Sequence, residues 1–257
     1  MFNKKIRLTI LVVLIAASLF LCGQALVGVF DAEFYNERGF AALEKNEPAA
    51  AQRYFMMAIA VDPQWAISYN NLGVSFLQAG EPKKAQAMFS KAIIKDPALI
   101  EPRLSLGSMY IGERKFEAAA NVLKQNLIRD AFHGPTLHLL SVAHLLNKDP
   151  QQAQVYAQTL LEHSEDAAIL TELGSLFAQE GYANAAFPCF VKAQKVDNFY
   201  TPVYIELGKW YGNQNLFPQA ISVWQDCLLV DPNNEECKGY IQQALRLMKE
   251  RKKSKAQ

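Results

Sequence analysis

A small residue returns along this chain roughly every thirty-four positions, and that spacing limits the possible folds more than any other feature. Gly39, Gly73, Gly107, Ser141, Gly174 and Gly208 lie 34, 34, 34, 33 and 34 residues apart. Twelve residues after each stands an alanine: Ala51, Ala85, Ala119, Ala153, Ala186 and Ala220. Three residues past each small residue come Ala42, Phe76, Tyr110, His144, Phe177 and Tyr211. Sixteen residues past it, five of the six units carry a bulky apolar side chain: Phe55, Phe89, Leu123, Phe190 and Trp224. A period of this length marks a supersecondary unit that cannot bury its apolar face alone and must stack on its neighbours.

Within each period, apolar residues recur three and four apart from Glu33 to Met248, and alternating patterns are scarce, so the units are helical. Small residues at the glycine and alanine positions let two antiparallel helices approach closely, and the aromatics are expected to fill the wedge between successive pairs. Asp62-Pro63, Asp96-Pro97 and Asp231-Pro232 close three units, because proline pushes the residue before it out of helical geometry. Pro48, Pro82 and Pro150 fall where a second helix would begin, and there the missing N–H costs little. The fold class is all-α.

This small–large code resembles the tetratricopeptide repeat family, over six units from Ala32 to about Asn233. The second unit fits best, with Tyr69, Leu72, Gly73, Phe76, Gly80, Ala85, Phe89, Ala92 and Pro97 all in register. The resemblance implies a right-handed α-solenoid of six helix pairs over residues 32–234. A capping helix and basic tail follow over 235–257, with Cys237, Tyr240, Ile241, Ala244, Leu245 and Met248 at helical spacing. Units three and four depart from the code at Arg103, Asn126, Ser141 and His144, which predicts looser packing or a bend there.

Residues 1–31 read differently. Lys4, Lys5 and Arg7 precede Leu8–Phe30, a stretch without a charge that is long enough to cross a hydrocarbon core as a helix. An uncleaved transmembrane anchor fits the continuous run. A cleaved secretory signal stays open through the small residues of Gly23-Gln24-Ala25. A lipoprotein signal also stays open, through Leu19-Phe20-Leu21-Cys22, although Leu21 is larger than that pattern wants. Positive charge before the run, with Asp31 and Glu33 after it, predicts that the repeats face away from the cytoplasm. In a bacterium that compartment is the periplasm.

Composition excludes several functions. Lys and Arg number 26 against 25 Asp and Glu, which gives no electrostatic basis for a nucleic-acid partner. His133, His138, His144 and His163 show no i, i+4 pair, and Cys22, Cys189, Cys227 and Cys237 form no Cys-x-x-Cys. Phosphate-loop, dinucleotide and nucleophile-elbow patterns are missing from the sequence, so no catalytic residue, metal or cofactor is expected. The basic end from Lys249 to Lys255 reads as a solvated tail suited to a helix C-terminus. Cys227 near the end of a second helix and Cys237 in the first turn of the capping helix could face each other across the turn at Pro232, and an oxidising compartment would permit a disulfide between them.

In the family resembled, the first helix of each unit lines a concave surface. The matching positions are Asn36, Phe40 and Leu43; Ile67, Asn70, Val74 and Leu77; Leu104 and Ile111; His138, Val142, Leu145 and Leu146; Thr171 and Ser175; Ile205 and Lys209. No lysine–arginine cluster accompanies Asn36 and Asn70, so the carboxylate clamp of chaperone-binding relatives is not expected. The implied function is a membrane-tethered scaffold or assembly factor that holds a helical or extended protein segment in a largely apolar groove. Two alternatives stay open: a lipoprotein-like factor for assembly of a pilus secretin, and an accessory subunit of an envelope enzyme.

Overall fold

The computed structural model describes residues 31–255, so the candidate span 8–30 and Cys22 lie outside the described residues. Among the described residues the chain is all-helical, with thirteen helices. They are α1 (Ala32–Glu44), α2 (Pro48–Val61), α3 (Ala66–Gln78), α4 (Pro82–Lys95), α5 (Glu101–Gly112), α6 (Phe116–Leu127) and α7 (Gly134–Leu146). There follow α8 (Pro150–His163), α9 (Ala167–Gln179), α10 (Ala183–Val196), α11 (Thr201–Asn213), α12 (Phe217–Val230) and α13 (Glu235–Lys255). Among the described residues no helix is long and apolar enough to cross a membrane. Consecutive helices pack as repeated pairs: α1 on α2, α3 on α4, α7 on α8, α9 on α10 and α11 on α12.

The thirty-four-residue rhythm is written into two turns. Inside the pairs, the chain enters the left-handed region at Asn46, Gly80, Arg114, Lys148, Gly181 and Asn215, with φ between 58° and 88°. Each turn closes in the same way. In the first, the Asn46 N–H donates to the Leu43 carbonyl and the Glu47 N–H to the Ala42 carbonyl, both at 2.9 Å. This arrangement satisfies the last carbonyls of the first helix. Only two of the six positions are glycine, and Arg114 and Lys148 hold the conformation at a cost of about 1–2 kcal/mol each.

Between pairs, an aspartate rather than a proline is the recurring device. Asp62, Asp96, Asp130, Asp197 and Asp231 each accept a bond from the backbone N–H two residues on, at 2.7–3.1 Å. Ser164 does the same for the fourth unit, accepting from the Asp166 N–H at 3.1 Å. Prolines follow only three of these six residues, yet the turn is the same.

The glycine and the bulky residue sixteen positions later meet inside the pair, where the sequence reading had put the aromatics between pairs. A Cβ on Gly73 would lie 2.6 Å from the Phe89 ring, and one on Gly107 equally close to Leu123. Gly174 stands in the same relation to Phe190, and Gly39 and Gly208 lie against Phe55 and Trp224. The aromatic lies where a side chain would otherwise be, and close approach of the two helices follows. In the fourth unit the larger Ser141 is matched by the smaller Ala157 sixteen residues on, both of them buried.

The chain divides into two units, residues 1–106 and 107–257. In the first, Ala51, Phe55, Ala58, Ala85, Phe89 and Ala92 are completely buried. In the second, one continuous core runs from Leu137 through Phe177, Phe190 and Trp224 to Ala244 of α13. Around the departures from the code Leu137, Leu140 and Leu160 are buried, His144 Nδ1 lies 3.4 Å from Asp149 while its Nε2 has no partner among the described residues, and the other three polar substitutes are bonded. The Arg103 guanidinium donates to the Leu99 carbonyl at 3.1 Å, in the manner of Tyr69, whose hydroxyl donates to the Pro63 carbonyl. The Asn126 amide donates to the Thr136 hydroxyl, and Ser141 donates to the Leu137 carbonyl.

Candidate partner-binding surfaces

In the first unit, α1 and α3 are joined by side-chain amides. Asn71 Nδ2 donates to Asn36 Oδ1 at 2.8 Å, and Asn70 Nδ2 donates to Asn71 Oδ1 at 3.1 Å. All three asparagines are buried, and the chain of bonds ends on Asn70 Oδ1, which has no donor among the described residues. A buried acceptor left in this state costs about 1–3 kcal/mol. Around the asparagines stand Phe40, Ile67, Val74 and Leu77, each 36–46% exposed. Leu104, at the end of this unit, is half-buried.

The second unit brings together a different set. His138 on α7 lies 3.9 Å from Glu172 on α9. Ser175, also on α9, donates to Glu206 on α11 at 3.0 Å. Lys209 pairs with Glu206 at 2.8 Å and reaches Glu236 on α13 at 3.4 Å, and the Tyr240 hydroxyl donates to Glu236 at 3.1 Å. Burial works against the Lys209 cation, but its bond to Glu206 and the neighbouring groups outweigh that and raise its pKa overall. Burial pulls His138 below the ordinary histidine value, against the pull of Glu172 and Asp166. The Cys189 thiol is pushed up to about 12 by burial, which makes it unreactive.

The residues proposed from the sequence therefore separate. Phe40, Ile67, Val74 and Leu77 are exposed together, with Asn36 and Asn70 beneath them. Ile111, His138, Val142 and Ile205 are half-buried in the second unit. Leu145 is a correction: it is completely buried in the core of the second unit and cannot line a groove. The exposed apolar members of the proposed set all lie in the first unit. Glu172, Glu206, Glu236 and Tyr240 escaped the sequence reading; the interval of 34 residues from Glu172 to Glu206 was the available signal. Cys227 and Cys237 are joined by a disulfide, with Cα atoms 6.6 Å apart, linking α12 to α13. Among the described residues no group of three His, Cys, Asp or Glu side chains is placed to hold a metal ion.

No family model matches the sequence, and no curated protein matches it. Solved structures do match in fold. The Cytophaga hutchinsonii TPR repeat-containing protein (its C-terminal part) superposes with a TM-score of 0.59 at 16% identity, over 88% of this chain and 94% of that one. The fold is that of tetratricopeptide-repeat proteins. PilF of Pseudomonas aeruginosa superposes with a TM-score of 0.60 at 18% identity, over 81% of this chain and 96% of its own. A chain of the APC/C hetero-tetramer Cut9–Hcn1 gives 0.60 at 21% identity over 89% of this chain, which spans only 46% of the other.

Proposed function

We propose that this protein is a non-catalytic scaffold. Its α1–α3 face holds a helical or extended segment of another protein, and residues 8–30 tether it to a membrane. The observation that carries this reading is the α1–α3 face itself: four exposed apolar side chains over a buried amide acceptor that lacks a donor. Covering apolar surface contributes roughly 25 cal/mol per Å². No charged side chain is needed for this recognition, so the partner's contribution is apolar side chains at regular spacing.

The charge pattern around Leu8–Phe30 supports an anchor with the repeats outside the cytoplasm, on the periplasmic side in a bacterium. A photo-crosslinking residue at Val74 is expected to trap a partner protein that the same residue at the exposed Lys91 does not. Equal trapping at both positions would remove the α1–α3 face from the proposal. Separately, alkaline extraction is expected to leave the protein in the membrane pellet. Recovery of soluble protein that begins near Leu26 would replace the anchor with a cleaved signal.

A further inference from the structure

The cap is more than a lid on the last pair. Between α11, α12 and α13 lies a cavity of about 300 Å³ whose floor is the Trp224 indole and the bare backbone of Gly212. Phe217, Tyr240 and Leu247 line it, as do Asn213 and Gln243. Tyr240 stacks on Trp224 with ring centroids 5.1 Å apart, so the wall contributed by α13 is built directly on the floor contributed by α12.

The charges around this cavity define what fits. Lys209 lies over the Tyr240 ring at 5.3 Å and Arg251 over the Phe217 ring at 5.0 Å, so both aromatic walls already face a cation of the chain itself. A cationic guest would meet like charge at each wall. Lys209, the charged residue of the lining, is already paired with Glu206 and Glu236 and offers an anionic guest no unpaired charge. A neutral side chain depends on neither charge, and the amides of Asn213 and Gln243 in the lining suit the backbone groups on either side of it. Aromatic or aliphatic anchors seated in such pockets dominate many protein interfaces.

We infer that the α11–α12–α13 cavity is a second docking site, one that takes a neutral apolar side chain of a protein partner, and that the Cys227–Cys237 disulfide holds α13 in place to form it. The inference rests on the scaffold reading only in that the guest belongs to a protein. Reduction frees α13 from its covalent tie to α12, and the wall carrying Tyr240 and Leu247 moves with it. Binding at this site is therefore conditional on an oxidised cap.

Full-length protein in mild detergent, labelled with 5-fluorotryptophan, gives a separate fluorine signal for each tryptophan, and Trp224→Phe assigns the one at the floor. The probes are pentapeptides, acetyl-Ala-Ala-X-Ala-Ala-amide, with X leucine, phenylalanine, lysine or glutamate. The leucine or phenylalanine peptide is expected to shift the Trp224 signal saturably, and the lysine and glutamate peptides to bind at least about tenfold more weakly. Gly212→Leu points a side chain into the cavity, where a Cβ meets nothing closer than Trp224 at 3.7 Å. It should weaken binding about tenfold or more while leaving the melting temperature unchanged or higher, since glycine is the poorer helix former. Cys227→Ser with Cys237→Ser should weaken binding about threefold or more through the lost population of the closed wall. A lysine peptide that binds as tightly as the leucine peptide, or full binding by the Gly212→Leu variant, overturns the site. Unchanged binding by the double serine variant overturns the disulfide's part in it. If no peptide moves the Trp224 signal while α1–α3 variants still lose a partner, the cavity is rejected and the scaffold reading stands.

Discussion

Gly73 and Gly212 are both helical glycines, yet they occupy opposite situations. A Cβ at Gly73 falls within 2.6 Å of the Phe89 ring, which is itself completely buried, while one at Gly212 finds ordinary contact distance. Gly73→Val is therefore expected to destabilise by about 1–3 kcal/mol through overpacking, read as an early thermal transition in circular dichroism. Gly212→Ala should not destabilise at all. His138 supplies a second prediction at this scale. Its folded pKa lies below the ordinary histidine value of 6.5, chiefly through burial, so the unfolded chain binds more protons over that interval. The stability it contributes is present above 6.5 and is lost as pH falls through the lower folded value. His138→Gln should flatten the dependence of denaturant midpoint on pH below neutrality. An unchanged slope would show that other groups carry it. The six small residues were legible in the sequence because volume is the only property their site demands. Leu145 was misplaced because leucine suits a groove and a core equally, and a shift of one position along the helix decides between them.

At the scale of the helix pair, one rule recurs: a small residue matched to the residue sixteen positions on, a left-handed residue to turn, and an aspartate or, in the fourth unit, a serine to stop. The helices could be read because those signals repeat in register. The ladder from Glu172 to Glu236 could not, because its members are brought together by the stacking of α9, α11 and α13 rather than by any local pattern. The asparagine chain from Asn36 to Asn70 was half legible, since the residues stood out but the bond between α1 and α3 did not. The tie between α12 and α13 belongs to this scale as well. It closes a loop with a sequence separation of 10 residues, for which constraint of the unfolded chain predicts about 2–3 kcal/mol. Protein taken from its native compartment and alkylated under denaturing conditions is expected to leave Cys227 and Cys237 unmodified until a reductant is added. Reduction should then lower the melting temperature, with the loss of helix beginning in α13. Free thiols at both positions would mean that the bond does not form in the cell.

On the level of the whole molecule, the two units present partners with unlike surfaces: exposed apolar side chains over amides on α1 and α3, and a charged ladder across α7 to α13. This difference separates the proposed groove from a general stickiness of the repeats. Val74→Asp and Leu77→Asp place a carboxylate on the exposed face, where the fold loses little because each side chain is already more than one-third exposed. Each change removes about 1 kcal/mol or more of burial from a complex, so the pair should weaken a partner by roughly tenfold to a hundredfold. Their melting curves should follow that of the unmodified chain. Leu145→Asp forces a charge into a completely buried position and should unfold its pair instead, whatever its effect on binding. Salt supplies the second axis. Apolar capture on α1 and α3 should survive an increase from about 0.1 to 1 M, whereas attraction to the exposed carboxylates of the second unit is screened over that range. Retention of the partner in high salt, together with its loss from the folded Val74→Asp and Leu77→Asp chain, is the expected result. A partner that leaves in salt but tolerates those two changes would assign the interaction to the ladder of the second unit and remove the α1–α3 face from the mechanism.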